Sequence, residues 1–194
     1  QLVRLAAIHS LGQTGLDNVK NLPRIASILE AYVKAITSDE DLKRSAKAEI
    51  MACLRELSSL NTLASSRGAA LVLDLAKVNF SHLPLRHINL AGCDLTGADL
   101  RSGLFCYVNF RGAILDGACV DKAEFRHCNF TDASMNPADW RHASVVDSTG
   151  LSLDGSEEPL VRLTPAALPA SGEREKLAAT FLKATPPVDK TKLH

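Results

Sequence analysis

Val78-Asn79-Phe80-Ser81-His82, Leu83-Pro84-Leu85-Arg86-His87, Ile88-Asn89-Leu90-Ala91-Gly92 and Cys93-Asp94-Leu95-Thr96-Gly97 open a run that continues in steps of five to Ala143-Ser144-Val145-Val146-Asp147. The third position of each step reads Phe80, Leu85, Leu90, Leu95, Leu100, Phe105, Phe110, Leu115, Val120, Phe125, Phe130, Met135, Trp140 and Val145. All fourteen are large and apolar. The first position is mostly small, as at Cys93, Ala98, Gly103, Ala113, Ala118, Ala123 and Cys128. A period of five is neither the 3.6 of a helix nor the 2 of a strand. The chain must therefore turn a corner once per repeat. Gly92, Gly97, Gly112 and Gly117 occupy the fifth position, and a corner explains them better than a phosphate site does.

Units such as Ala98-Asp99-Leu100 and Cys128-Asn129-Phe130 give the stretch from Val78 to Asp147 the A-(D/N)-L-x-x pattern, with a looser lead-in at Leu73-Asp74-Leu75. In this the chain resembles the pentapeptide-repeat family. The resemblance implies a mainly β fold: a right-handed, four-sided (quadrilateral) β-helix with twenty residues per coil. Fourteen repeats then make about 3.5 coils, a rod about 17 Å long at the usual strand spacing.

Working outward, Leu2, Leu5, Ile8 and Leu11 form one helical stripe. Gly12 and Gly15 are expected to end that helix. A second helix is expected from Pro23 to Ala35, with Ile25, Ile28, Leu29 and Tyr32 inward. Ser38 is expected to cap a third helix that carries Leu42, Ile50, Leu54 and Leu57 to about Leu60. The phrases Arg4-Leu5-Ala6-Ala7-Ile8 and Ile28-Leu29-Glu30-Ala31-Tyr32-Val33 resemble a helical segment that precedes the repeats in many bacterial members, some of which carry an upstream membrane anchor. The expected organisation is an α-helical N-terminal cap or adaptor over 1–72, the β-helix over 73–147 and a tail over 148–194. Within the tail a short helix is expected at 171–183. Leu151, Leu153, Leu160 and Val161 could fold over the last coil, which otherwise is open to pair with a second chain.

Composition narrows the function. The chain has 194 residues, with 22 Lys and Arg against 22 Asp and Glu. Residues 77–147 alone hold seven basic and eight acidic groups. That balance weighs against a nucleic-acid binder, which shows a basic excess. It also weighs against mimicry of DNA, the role that the resemblance implies for members that regulate type II topoisomerases (gyrase). No run of eighteen apolar residues suited to a spanning helix is present. There is no G-x-S-x-G, H-E-x-x-H or Walker motif, so no enzyme and no cofactor are expected. Cys53, Cys93, Cys106, Cys119 and Cys128 are odd in number and lack zinc spacing. Unpaired thiols in a reducing, cytoplasmic setting are expected, with the cytoplasmic part of a longer membrane-anchored protein as an alternative.

On a twenty-residue coil, residues twenty apart are neighbours. His87, Tyr107, His127 and Asp147 form one outward column, and His127 with Asp147 is a candidate pair. His87 and His127 are two coils apart, about 9.6 Å, too far to share a metal ion. Arg101, Asp121 and Arg141 form a column of alternating sign, and Asn89, Asn109 and Asn129 a third column. Cys93 and Cys128 face inward, Cys106 and Cys119 outward. The unit Gly103-Leu104-Phe105-Cys106-Tyr107 places Leu104, Cys106 and Tyr107 outside as an apolar strip, rimmed by Arg86, His87, Arg126 and His127. Such a strip suits a protein partner. The expected function is a non-enzymatic structural and protein-interaction module. A topoisomerase regulator and a fragment of a translocated effector are the alternatives.

Overall fold

A computed structural model describes residues 1–69, 71–135, 140 and 142–150. The expectations for 151–194, the short helix included, lie outside the described residues. Four α-helices come first: α1 (Leu2–Asp17), α2 (Leu22–Thr37), α3 (Glu40–Ser45) and α4 (Lys47–Ser66). Four short strands follow, β1 (Pro84–Arg86), β2 (Leu104–Cys106), β3 (Glu124–Arg126) and β4 (Ser144–Val146).

All strand pairs are parallel, in the order β1-β2-β3-β4. Each residue pairs with the one twenty positions later, as in Leu85 with Phe105 and Phe105 with Phe125. Single bridges repeat the same offset on the other sides of the winding, from Asp74 with Asp94 to Asn129 with Thr149. The lead-in at Asp74 is thus a full member of the β-helix, and the pairing runs two residues past Asp147. Third-position side chains fill the interior. Phe105 stacks on Phe125 at 4.7 Å and Phe110 on Phe130 at 5.0 Å, and Trp140 packs on Phe125 at 4.9 Å.

The second and fifth positions shape the corners. Asp94 Oδ1 accepts from the Thr96 N–H, Asn109 Oδ1 from Arg111 and Asn129 Oδ1 from Thr131, at 2.9, 3.1 and 3.0 Å. This local turn is the reason for Asp or Asn at that position. The fifth position takes a positive φ, at Gly92, Gly97, Gly112 and Gly117 as expected, but also at Lys77, His82, His87, Ser102, Tyr107, Lys122, His127 and Asp132. The hydrogen bonds Val78 N to Leu75 O, Leu83 N to Phe80 O and Ala98 N to Leu95 O close turns around such residues, the arrangement of a type II turn.

The helices differ from expectation in ways that packing explains. α1 runs through Gly12 and Gly15, because neither glycine breaks the helix; both are close-approach points. A Cβ on Gly15 would lie 2.7 Å from Leu60 Cδ2, and one on Gly12 would overlap the Glu56 side chain. Asp39, not Ser38, caps α3: its Oδ1 accepts from the N–H groups of Asp41 and Leu42 at 2.8 and 2.9 Å. Ser38 belongs to the end of α2 and donates its hydroxyl to Ala35 O. The third helix is two helices, broken at Ala46. Ile28, expected inward, is 45% exposed; Leu2 at the head of the α1 stripe and Leu42 of α3 also lie at the surface, 83% and 52% exposed.

The first coil has no earlier coil to bond to, and helix side chains take that role. The Asn89 N–H donates to Ser58 Oγ at 2.7 Å, and Asn61 Nδ2 donates to Ala91 O at 2.9 Å. The Asp74 N–H donates to Glu30 Oε1 at 3.2 Å, and Lys34 pairs with the Asp74 carboxylate at 2.6 Å. The Lys34 hydrogen bond holds the Asp74 carboxyl below the ordinary aspartate value. Buried Lys43 donates to Asn79 Oδ1 and Ser81 Oγ, both at 2.6 Å. Burial pulls its ammonium below the ordinary lysine range, against the opposing attraction of Glu40. One apolar core runs from the helices into the coil.

Two substitutions test this packing by urea or thermal unfolding. Gly15→Ala should destabilise by about 1–3 kcal/mol through overpacking against Leu60. Gly12→Ala should cost less, because the Glu56 carboxylate is the free end of a flexible chain that can swing away. Lys43→Met should cost about 1–3 kcal/mol, because it strips a charged donor from the buried Ser81 hydroxyl and the part-buried Asn79.

Candidate interaction surface

β1 to β4 form one side of the winding, and the candidate residues stand on it. Period-two alternation turns Leu85, Phe105, Phe125 and Val145 inward, where all are buried. Positions 84 and 86 and their equivalents then face outward. The register places Leu104 between Pro84 and Glu124, and Cys106 between Arg86 and Arg126. The next residue in each coil is the corner, so His87, Tyr107 and His127 also fall into line.

That column is a ring stack. The His87 and Tyr107 rings lie 4.9 Å apart and 8° from parallel, and Tyr107 and His127 lie 4.7 Å apart and 13° from parallel. The cause is the register: each ring leaves the backbone at the same positive φ, one strand spacing from the next. The ring faces point along the coil axis and the edges point to solvent. Tyr107 is 49% exposed. His127 meets Tyr107 rather than the Asp147 carboxylate, and among the described residues no ion pair joins His127 to Asp147.

Cys106 departs from expectation. It is only 5% exposed and contributes no apolar surface. Burial pushes its thiol up, while the Arg86 hydrogen bond and the charges of Arg86 and Arg126 draw it down. The apolar strip narrows to Leu104, itself half-buried, and Tyr107. Arg126 is engaged by Glu124 two residues earlier on the same strand. The spacing of two, which puts both side chains on one face, was the signal in the sequence for that pair.

The other columns serve the coil. Arg101 does not reach along its column to Asp121; it forms a two-pronged pair with Asp99, at 2.9 and 2.7 Å. Burial acts to raise the Asp99 carboxyl, but the Arg101 hydrogen bonds and charge hold it below the ordinary value. Arg141 lies outside the described residues. Asn109 Nδ2 donates to Asn89 Oδ1 at 3.0 Å, and Asn89 Nδ2 donates to Thr62 Oγ1 of α4. The described cysteines are all unpaired; Cys93 and Cys128 are buried and Cys119 is exposed. Burial raises the Cys128 thiol to about 12. Among the described residues no group of three His, Cys, Asp or Glu side chains could hold a metal ion, and no helix is long and apolar enough to cross a membrane.

Residues 74–106 and 93–132 match the sequence family described as pentapeptide repeats, in eight copies. No curated protein matches the chain. Among solved structures, the pentapeptide repeat protein Rfr23 from the cyanobacterium Cyanothece 51142 is 23% identical with TM-score 0.32, over 39% of this chain and 48% of that one. QnrB1, a plasmid-mediated fluoroquinolone resistance protein, is 19% identical with TM-score 0.32, over 39% of this chain and 40% of its own. HetL from the cyanobacterium Nostoc sp. strain PCC 7120, a pentapeptide repeat protein involved in heterocyst differentiation regulation, is 20% identical with TM-score 0.22, over 42% and 47%. The chain therefore spans half or less of the length of these structures.

Glycine substitutions at two corners separate backbone strain from ring stacking. His82 has φ 58° and Tyr107 φ 56°. His82→Gly should leave stability within about 1 kcal/mol, since relief of the left-handed strain offsets the added chain entropy. Tyr107→Gly should be less stable than His82→Gly by about 1–3 kcal/mol, the worth of two stacked pairs. Equal unfolding midpoints for the two variants would show that the stack contributes nothing.

Proposed function

We propose that these pentapeptide repeats form a non-enzymatic interaction module: a right-handed, four-sided coil of about 3.5 turns that presents its strand-bearing side to a protein partner. Proteins with such repeats are generally structural or interaction scaffolds rather than enzymes. One observation carries the assignment of the face: a rigid His87–Tyr107–His127 stack, edge-on to solvent, beside the half-buried Leu104. Ordered aromatic edges with cationic neighbours lose little freedom on binding, and interfaces are enriched in tyrosine and arginine. Arg86, His87, Leu104, Tyr107, Arg126 and His127 are the contact residues of this reading, and Cys106 supports them from beneath. The helices act as the cap of the coil, for which their side-chain bonds to Asn89, Ala91 and Asp74 speak.

The near balance of charge in 77–147 supports a protein scaffold over a mimic of DNA, which needs dense negative charge to compete with phosphates. A cytoplasmic location and pairing of two copies through the C-terminal end of the coil belong to the same proposal; the mass in solution decides the second. The test of the face is a capture experiment with the purified chain. Leu104→Asp combined with Tyr107→Ser should abolish retention of the wild-type partner while circular dichroism stays unchanged. Undiminished retention by the folded double variant would refute the assignment.

A further inference from the structure

Between α1 and α2 lies an apolar slot of about 160 Å³. Buried Ile8 and Leu29 and half-buried Leu11 line it, with Ala7 and Ile28 exposed at its rim. Arg4 and Tyr32 close one end. Both are engaged there by buried Glu49: the Tyr32 hydroxyl donates to one carboxylate oxygen, and Arg4 Nε lies 3.1 Å from the other. A dry cavity of about 150 Å³ holds a benzene molecule, so the slot has room for one large aliphatic side chain.

The side chain that fits it stands on the same helix. Residues four apart share a helix face, so Val3, Ala7 and Leu11 form one row along α1. Val3 is 82% exposed. Ala7 and Ser10 beside it are small and exposed, which lets a second helix approach closely. From Leu2 to Leu16 α1 holds no carboxylate. Its Arg4 and His9 are taken by Glu49 and Glu56 of α4. On α2, Ala31 and Ala35 continue the exposed apolar row beyond Ile28. Depletion of charge around an apolar centre is the composition of an interface core.

We propose that a second copy of this chain fills the slot, with the two α1 helices antiparallel about a two-fold axis at Ala7. In that register Ala7 meets Ala7, and Val3 of each copy lies over Leu11 of the other and enters its slot. One patch thus supplies both the knob and the hole, as an isologous contact requires. Antiparallel pairing also sets the positive end of each helix beside the negative end of the other. α1 and α2 have sixteen residues each. Two such helices, about 24 Å long and about 8–10 Å apart, present about 500 Å² per copy, or about 1,000 Å² in the pair. A standard stable interface buries about 1,600 Å², so this one is a micromolar or weaker, concentration-dependent association. None of its residues belongs to the strand-bearing side or to the C-terminal end of the coil. The inference therefore stands apart from the proposed partner face.

The test is sedimentation equilibrium of the full chain from about 5 μM to about 1 mM. The mass should climb from that of one chain toward that of two. Ala7→Glu and Ala7→Lys each set like charges against each other on the axis. Either should raise the dissociation constant at least about tenfold, with circular dichroism and unfolding midpoint unchanged, because Ala7 is exposed. Mixed in equal amounts at low salt, the two variants should pair again, since unlike charges then meet on the axis. A chain that stays monomeric throughout overturns the inference. A dimer that both Ala7 variants leave unchanged overturns it too and moves the pairing to another surface. Failure of the mixture to recover, with both variants folded, rejects the two-fold contact. A monomer that binds the apolar dye anilinonaphthalene sulfonate, and loses it in Ile28→Glu, gives the slot to a different apolar occupant and likewise overturns the second copy. Partner capture through Leu104 and Tyr107 is read separately from all of these outcomes.

Discussion

Each coil of the β-helix is the hydrogen-bonding partner of the next, and nearly everything else in the structure depends on that. The Leu75 N–H donates to Asp94 O, Leu95 to Ile114 O and Leu115 to Ser134 O, each twenty residues minus one along the chain, at 2.7–2.8 Å. A buried backbone group without a partner is costly, so the offset is kept from coil to coil, with a slip of one residue where the Lys122 N–H donates to His142 O. It sets like positions over like. Inside, that puts Phe105 over Phe125 and Phe110 over Phe130. Outside, it puts His87, Tyr107 and His127 in one stack. The interior ladder and the surface ladder have one cause.

The constraint also explains the helices. A ladder must begin somewhere, and its first coil has donors and acceptors with no predecessor. Ser58, Asn61 and Glu30 supply the missing partners. Glu49, buried in α4, accepts from the Tyr32 hydroxyl and lies 3.1 Å from Arg4 Nε, which brings a charge into the junction of α1, α2 and α4. Burial first, then the contact with Glu49, raises the Tyr32 hydroxyl to about 12. These polar residues read as ordinary surface positions of amphipathic helices until the coil is laid against them.

Much of the fold was legible because a repeat states its own rule many times. The large third position and the small first position place the core without coordinates, and all described members but Met135 are fully buried at the third. The outward columns followed from the twenty-residue step, so the His87–Tyr107–His127 line could be drawn in advance. Other features depended on neighbours that sequence spacing does not name. Gly12 and Gly15 look like helix breakers, yet α4 approaches α1 there so closely that an added Cβ would meet Glu56 or Leu60. Cys106 looks outward by alternation, yet it is buried and takes a hydrogen bond from Arg86. Arg101 could have reached to Asp121 along its column or to Asp99 on its own coil; the shorter, two-pronged pair prevailed.

The sequence by itself determined the winding. A period of five with a buried third residue demands a corner in every repeat, and the Asp or Asn at the second position builds it through a bond to a backbone N–H two residues on. Only the tertiary structure decided which carboxylate each arginine pairs with, which cysteine is buried, and which helix side chains complete the first coil. Those outcomes turn on distances of a few ångströms between residues far apart in the chain. A local pattern specifies the path of the backbone, whereas the competition among side chains for one partner is settled only when that path is packed.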